Sequence, residues 1–463
     1  FVNYGISHKV YPQSIMSNLT QLPIEELLEY NGKDAIFEYS IYKKQEKRLN
    51  KDKILQFVYK EQIETAKTIA QIQFDGAYTN EESRNNLLIE YKNTKENIEK
   101  ELLNLPSVVE FRNKYGKVPA LKSNSKDIPI ILFKLEGLEP FKKTGKGNFS
   151  VDKEVLMEYS EQNKFCELLL KYREYSGIEG KILKGYTECV FPDQKYHISF
   201  FPVETGRLSA RSINLQNLDK RKHPEIRQII VAPEGHVLLI YDFAQLEFRV
   251  IAAVSNCRKV IDMIKNNYDV HMDKAIEIWG EEIIKNASPK EVKLMRYRAK
   301  NEFVFPAIYG SMPKAISKRL DISETHAEYL YNKLWSDFPE IKEWQDNILK
   351  MYEKKRYTEI PPGRRRYAPL TKNEILNTPI QGAASSIVCK AMNILSRKGY
   401  KIIINVHDEL VFCVKEEKAK YAAEEIQSVM ESKMYAFMGD VPLTVEGFIG
   451  YDWYNVYPIK EII

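Results

Sequence analysis

Cysteine is scarce in this sequence, with five in 463 residues: Cys166, Cys189, Cys257, Cys389 and Cys413. They are scattered, odd in number and form no CxxC pair, so a disulfide-stapled secreted scaffold is excluded. The thiols read as small core residues of a reduced, intracellular protein. The seven histidines share no metal-type spacing with them, which argues against a structural zinc site. No uninterrupted apolar run approaches the ~18–20 residues of a membrane span. The opening FVNYGISHKVYPQ lacks the charged-then-apolar pattern of a secretory leader. There is no internal repeat, no low-complexity tract and no large charge of one sign. The 69 Lys/Arg against 64 Asp/Glu leave +5, too little to argue for nucleic acid or against it. What remains is a globular composition, 44% hydrophobic and 29% charged, long enough for two to four domains.

Periodicity orders the chain. Residues 20–104 read as mainly helix, with apolar stripes Ile24, Leu27, Leu28 and Ile36, Tyr39, Tyr42 on either side of an expected break at Asn31–Gly32. Glu82–Leu105 is a long polar amphipathic pattern with i,i+4 charges such as Lys92–Glu96, expected to form a projecting helical arm. Lys114–Gly147 reads as loop-rich and Cys166–Tyr186 as helix. After Tyr196 strands begin. HISFFPVE alternates, and HVLLIYDF (His236–Phe243) is a buried strand after the Pro233–Gly235 turn. Residues 244–345 are mainly helical. Lys401–Val414 reads as a hairpin with its polar tip at His407–Glu409.

Those strands end in carboxylates. Asp242 stands at the mouth of one apolar strand, and Asp408 and Glu409 at the tip of the hairpin. Such acids are costly to hold there unless paired or bound to a cation. Two aspartates brought together repel, and Mg²⁺ favours oxygen ligands of this kind. Two ions ~3.5–4 Å apart suit in-line phosphoryl transfer. Taken singly, each acid could equally be a solvated turn residue.

The surrounding residues resemble a known family. TGRLSARSINLQNLDKRKHPEIRQIIVAPEGHVLLIYDFAQLEFR (Thr205–Arg249) is similar to the polymerase core of family A DNA polymerases, with motif A as YDFAQLEFR. NVHDEL (Asn405–Leu410), NTPIQGAASSIV (Asn377–Val388), PPGRRRYAPL (Pro361–Leu370) and the tail VPLTVEGFIGYDW resemble further elements of that family. The similarity reaches back through KYREYSGIEG and KSNSKDIPIILFKLEGLEP and covers nearly the whole chain. It implies an α+β right-hand fold with thumb, antiparallel palm and mainly helical fingers. The expected division is 1–55 as the end of a 3′–5′ exonuclease-like domain, 56–195 thumb, 196–257 and 358–463 palm, and 258–357 fingers. The implied activity is DNA-directed DNA synthesis in replication or repair.

Carried over, the resemblance makes Asp242 and Asp408 the ligands of two Mg²⁺ ions (Mn²⁺ able to substitute), with the backbone carbonyl of Phe243 assisting. Glu409 would be an accessory acid near the primer end. Glu247 would be a sugar gate that fills the space of a ribose 2′-OH. Gln245, His271, Arg296, Lys300, Phe305 and Tyr309 would hold the incoming nucleotide, with Lys300 also catalytic. Arg207, Asn214, Gln216, Asn377, Gln381, His407, Gly310 and Ser311 would meet the primer–template. Lys142, Lys143 and Lys146 would follow its phosphates from a thumb loop.

RYRAKNEFVFPAIYG (Arg296–Gly310) departs from the family pattern. There the cation, lysine, aromatic and tyrosine recur every four residues; here the steps are 4, 5 and 4. One extra residue turns an ideal helix by about 100°. Pro306 also stands where the family has Gly, and its missing N–H frees the Glu302 carbonyl. The expectation is a π-bulge between Lys300 and Pro306 that returns Phe305 and Tyr309 to the nucleotide face. A Phe at 305 implies poor use of dideoxynucleotides compared with Tyr. A second departure is Asn373, where the family commonly has Arg.

LEYNGKDAIFEYSIY contains Tyr30-x-x-x-Asp34, which resembles the last motif of the family's proofreading domain. The earlier acidic motifs would lie upstream, so no proofreading is expected from these residues, and a fragment of a longer protein is the favoured reading. Expected partners are primer–template DNA and dNTPs, with replisome proteins also open, no membrane, and a monomer. The expected location is cytoplasmic, at a nucleoid or in a phage-infected host, with an organelle still open. A single-subunit RNA polymerase and a non-catalytic DNA-binding replisome subunit are the rivals. The charge is also unevenly placed. Thr205–Arg227 and Glu353–Arg366 each carry six cations against two acids, and Lys290–Lys300 five against one. The mild total conceals basic segments in an acidic remainder.

Overall fold

The computed structural model describes residues 23–145, 147–185, 192–211, 214–218 and 222–462. Helix α1 (Ile24–Leu49) opens this part and runs straight through Asn31–Gly32. The expected break is absent because one glycine inside a long helix costs only ~1 kcal/mol. Asp52 then caps α2 (Lys53–Asp75), accepting from the amides of Ile54 and Leu55 at 3.0 and 3.1 Å. Asn80 caps α3 (Glu81–Leu103), the expected long arm. Helix α4 (Lys164–Gly177) packs back on α3. Between them Leu102, Val108, Phe111, Ile128, Leu132 and Phe165 close a separate apolar core. The stretch expected to be loop contributes to it through a short α-turn, Asp127–Ile130, and a π-turn, Ile131–Leu135.

The larger core surrounds a five-stranded antiparallel sheet. A hairpin of β1 (Ser199–Pro202) and β2 (Leu208–Arg211) precedes it. The sheet contains β3 (His236–Phe243), and a second hairpin pairs β4 (Tyr357–Ile360) with β5 (Arg364–Tyr367). Strands β6 (Lys401–Val406), β7 (Glu409–Lys415), β8 (Val445–Gly450) and β9 (Val456–Pro458) complete the order β9-β8-β3-β7-β6. Strand β3 is central, which explains its unbroken apolar run.

Four further helices frame the sheet's carboxylate end. They are α5 (Leu246–Ser255), α6 (Val270–Trp279), α7 (Pro289–Arg298) and α8 (Lys372–Arg397). Capping boxes start two of them, Ser288 with Glu291 on α7 and Thr371 with Glu374 on α8. Helix α8 carries Pro379 in its interior and continues regardless. The Ile375 carbonyl that proline leaves without a donor accepts from Thr358 Oγ1 at 3.3 Å. Among the described residues no helix is long and apolar enough to cross a membrane.

Candidate active site

The site grows from the end of β3. Asp242 is its penultimate residue and lies in register with Glu409 of β7 on one side and Glu446 of β8 on the other. Three acids therefore cross the sheet in one row, and like charges so placed repel. The chain after Asp242 is held tightly. Phe243 donates its amide to the Asp408 carbonyl at 3.2 Å, and Ala244 donates to Thr444 at 2.9 Å. The buried Arg249 donates to the carbonyls of Ala244 and Pro442 and to Thr444 Oγ1, at 2.7, 2.6 and 2.6 Å. Gln245 then turns left-handed (φ 52°) and α5 begins. Sequence reasoning passed over Arg249, because two of its three partners, Pro442 and Thr444, lie 193 and 195 residues away.

Asp408 sits in the two-residue turn between β6 and β7, where His407 has φ 55°. Asn405 ties this turn by donating to the His407 carbonyl at 3.2 Å. The result is a cleft of about 860 Å³ lined by Asp242, Phe243, Gln245, Glu247, Asp408 and Glu446 from the sheet side. Arg296, Lys300, Phe305, Tyr309 and Ser311 line its opposite wall, and Asn373 and Asn377 come from α8.

That opposite wall contains the irregularity expected from the sequence. Residues Ala299–Val304 form a π-helix, and the Phe305 amide reaches back five residues to the Lys300 carbonyl. The extra residue is absorbed there. Phe305 stacks toward Tyr309 with ring centroids 5.7 Å apart, and Lys300 Nζ lies 5.5 Å from the Phe305 ring. All four residues of the interrupted stripe thus share one cleft.

The family model described as DNA polymerase family A matches residues 88–455. The chain belongs to this family. DNA polymerase I of Caldicellulosiruptor bescii is 32% identical over 356 residues, covering 72% of this chain and 41% of that protein. DNA polymerase I of Chloroflexus aurantiacus is 25% identical over 468 residues, covering 96% of this chain and 48% of that protein. The chain therefore spans less than half the length of these relatives. Its fold is similar to the POL domain of Pol1 from M. smegmatis, solved in complex with DNA primer-template and dNTP. The TM-score is 0.76 at 24% identity, over 88% of this chain and 72% of that one.

Electrostatics in the family A cleft are dominated by burial. Burial pushes the Asp408 carboxyl up to about 7, with the charges of Glu247 and Asp242 adding to the rise and Arg207 and Lys300 opposing it. Burial, and then Arg296, lowers the Lys300 ammonium, while Glu247, Asp408 and Asp242 restore part of its proton affinity. An oxygen-only donor set with strained negative charge fits a hard divalent cation. Among the described residues, however, no three acids, histidines or cysteines gather into a ready-made metal cage.

Several expected site residues stand elsewhere. His271 does not reach the cleft: it is fully buried on α6, between Phe248 and Phe305, with neither ring nitrogen hydrogen-bonded. Burial and then the charges of Lys300 and Arg296 lower its pKa to about 3, so the ring is neutral. Glu409 belongs to β7, not to the hairpin tip, and faces inward. It accepts from Arg227 Nη1 at 3.2 Å and from the Trp453 indole at 3.1 Å. Gln216 is spent within the fold, bonding Leu208, Ala210 and Asn405, while Asn214 caps the turn beneath it. Lys142 is paired with Asp152 and Glu154, and exposed Lys143 lies over Phe149; Lys146 is outside the described residues. Gln381 lies one turn beyond Asn377 on α8 but does not line the cleft. Gly310 (φ 94°) packs against Leu376 and Asn373, whereas Ser311 does line the cleft and receives a bond from Arg319 at 3.3 Å. Tyr30 and Asp34 stand one turn apart on α1, outside the cleft. Glu446 was missed, because its place opposite Asp242 follows from strand register and not from any motif.

Proposed function

We propose that this chain carries out template-directed addition of dNTPs to a primer 3′-OH, releasing pyrophosphate. The observation that supports it best is one cleft holding Asp242 and Asp408 against Arg296, Lys300, Phe305 and Tyr309. Asp242 and Asp408 would hold two Mg²⁺ ions with help from the Phe243 carbonyl. When bound, the metals would supply Lewis-acid stabilisation of the attacking and leaving oxygens. Arg296 and Lys300 would orient the triphosphate and neutralise its charge, which is most of what phosphoryl transfer asks of a protein. Phe305 and Tyr309 would stack the base, and Glu247 would exclude a ribose 2′-OH.

The division into thumb (56–195), palm (196–257 and 358–463) and fingers (258–357) fits this reading. The separate apolar core around Phe111 and Phe165 supports an independent thumb tip. Residues 1–55, with Tyr30 and Asp34, are proposed as the end of an exonuclease-like domain. Primer–template DNA would be gripped by Arg207, Asn377, Gln381 and His407. The RNA polymerase alternative is disfavoured by Glu247, whose carboxylate is fixed from two sides. Primer extension with dNTPs or NTPs and Mg²⁺ tests the proposal: dNTP-selective extension is expected, and extension with NTPs alone would overturn it.

A further inference from the structure

Glu247 is held by two hydrogen-bond donors, one on each carboxylate oxygen. Tyr309 comes from the π-helical wall, and Arg207 comes from the turn between β1 and β2. The turn itself is short. Val203 donates to the Arg207 carbonyl at 2.8 Å and Gly206 to the Val203 carbonyl at 2.7 Å, with Gly206 at φ 88°. Nothing in so small a turn fixes its tilt relative to the cleft.

Two other segments do. Arg364, at the start of β5, donates through Nη2 to the Thr205 carbonyl. Its guanidinium lies flat against Gly206, where any Cβ would overlap it. Ser385 of α8 donates to the Gly206 carbonyl at 2.7 Å. Gly382, one turn earlier, lets α8 approach so closely that a Cβ would stand 2.8 Å from the Thr205 carbonyl. The two carbonyls just before Arg207 are thus clamped, that of Thr205 from β5 and that of Gly206 from α8. Of the neighbouring arginines, Arg365 pairs with Asp52, away from the turn, whereas Arg366 pairs with Glu204 of the same turn and with Glu374.

We propose that Arg364 is a positioning residue for sugar selection: it fixes the Thr205–Gly206 turn so that Arg207 meets Glu247. Arg364 touches no substrate in this account. Its effect travels through the Thr205 carbonyl and the close contact at Gly206 to Arg207, and so to the gate. The inference rests on the polymerase reading above and deepens it.

The test compares kcat/KM for dATP and ATP in primer extension. Arg364→Met should lower the dATP/ATP ratio by about fivefold to tenfold, as expected for one lost charge-assisted anchor. Ser385→Ala removes the second clamp and should lower the ratio by about threefold. It keeps the test open if Arg364→Met folds poorly. Arg365→Met, next door but directed elsewhere, should leave the ratio unchanged. In a Glu247→Ala background, Arg364→Met should produce no further fall, because both changes act on one gate. A merely structural arginine would give independent, additive losses in that cycle. Amide exchange should also accelerate at Val203 and Gly206 in Arg364→Met. An active Arg364→Met enzyme with an unchanged ratio, or additive losses, would overturn the positioning role. Absence of extension by the unmodified protein would instead overturn the polymerase reading.

Discussion

Tyr309 donates its phenolic hydrogen to Glu247 Oε2 at 2.5 Å, while Arg207 takes the other carboxylate oxygen. Burial first, and then Glu247 itself, pushes the Tyr309 phenol well above its ordinary range, so it remains a donor at any working pH. Removing that donor should free the carboxylate. Tyr309→Phe is expected to reduce dATP-over-ATP selectivity several-fold, and Glu247→Ala to reduce it further. Side-by-side single-nucleotide kinetics check both, and an unchanged ratio in Glu247→Ala would remove the gate from the account.

The π-turn makes a prediction about length. Deleting Asn301 restores four-residue steps, so the helix should run as regular α with its stripe intact. The KM for dNTP is then expected to stay within about threefold of the parent, since Phe305 and Tyr309 keep their facing. Inserting one alanine after Asn301 should turn both rings away by about 100° and raise KM by more than tenfold. Equal damage from deletion and insertion would show that the π-turn itself, not the stripe, is what the cleft requires.

Arg227 and Glu409 form a buried ion pair, roofed by Trp453 with the guanidinium 4.0 Å from its ring. Cutting one partner leaves an unpaired charge in the protein interior. Arg227→Met should destabilise the protein by about 3–5 kcal/mol. Urea unfolding measures it; a loss below about 1 kcal/mol would place the pair among those of little net worth.

How much of this was legible beforehand follows from distance in sequence. Asp242 and Asp408 could be read because each ends an apolar strand, and the extra residue before Phe305 could be counted. The inward turn of Glu409 could not, since Arg227 lies 182 residues away. His271 matched a motif, but its burial depends on Phe248 and Phe305, contributed by two other elements. Gln216 stood in a motif whose polar side chains read as DNA contacts, yet the fold consumes it. Asn31–Gly32 carried turn chemistry that a 26-residue helix simply overrode. The three arginines after Gly363 added to a basic segment in the sequence, whereas the fold spends them on Thr205, Asp52, Glu204 and Glu374.

If Asp408 holds a cation as proposed, its carboxyl, raised to about 7, would set a pH dependence for metal binding. Below about pH 7 the group carries a proton that a cation must displace; above it the site is already anionic. Mg²⁺ affinity of the DNA-free protein should therefore rise with pH through this range, with proton release on binding at pH 6 and little at pH 8. Calorimetry in two buffers of different ionisation enthalpy reads the proton count directly. Affinity independent of pH would show that Asp408 is not the group being titrated.

In the proposed mechanism Asp242 and Asp408 form the reacting centre, and other residues hold the DNA. Primer extension with Asp242→Ala and Asp408→Ala, alongside fluorescence anisotropy with the same primer–template, tests it most directly. Both variants should lose extension while binding DNA within a few-fold of the parent protein. Normal extension by either variant would contradict the account.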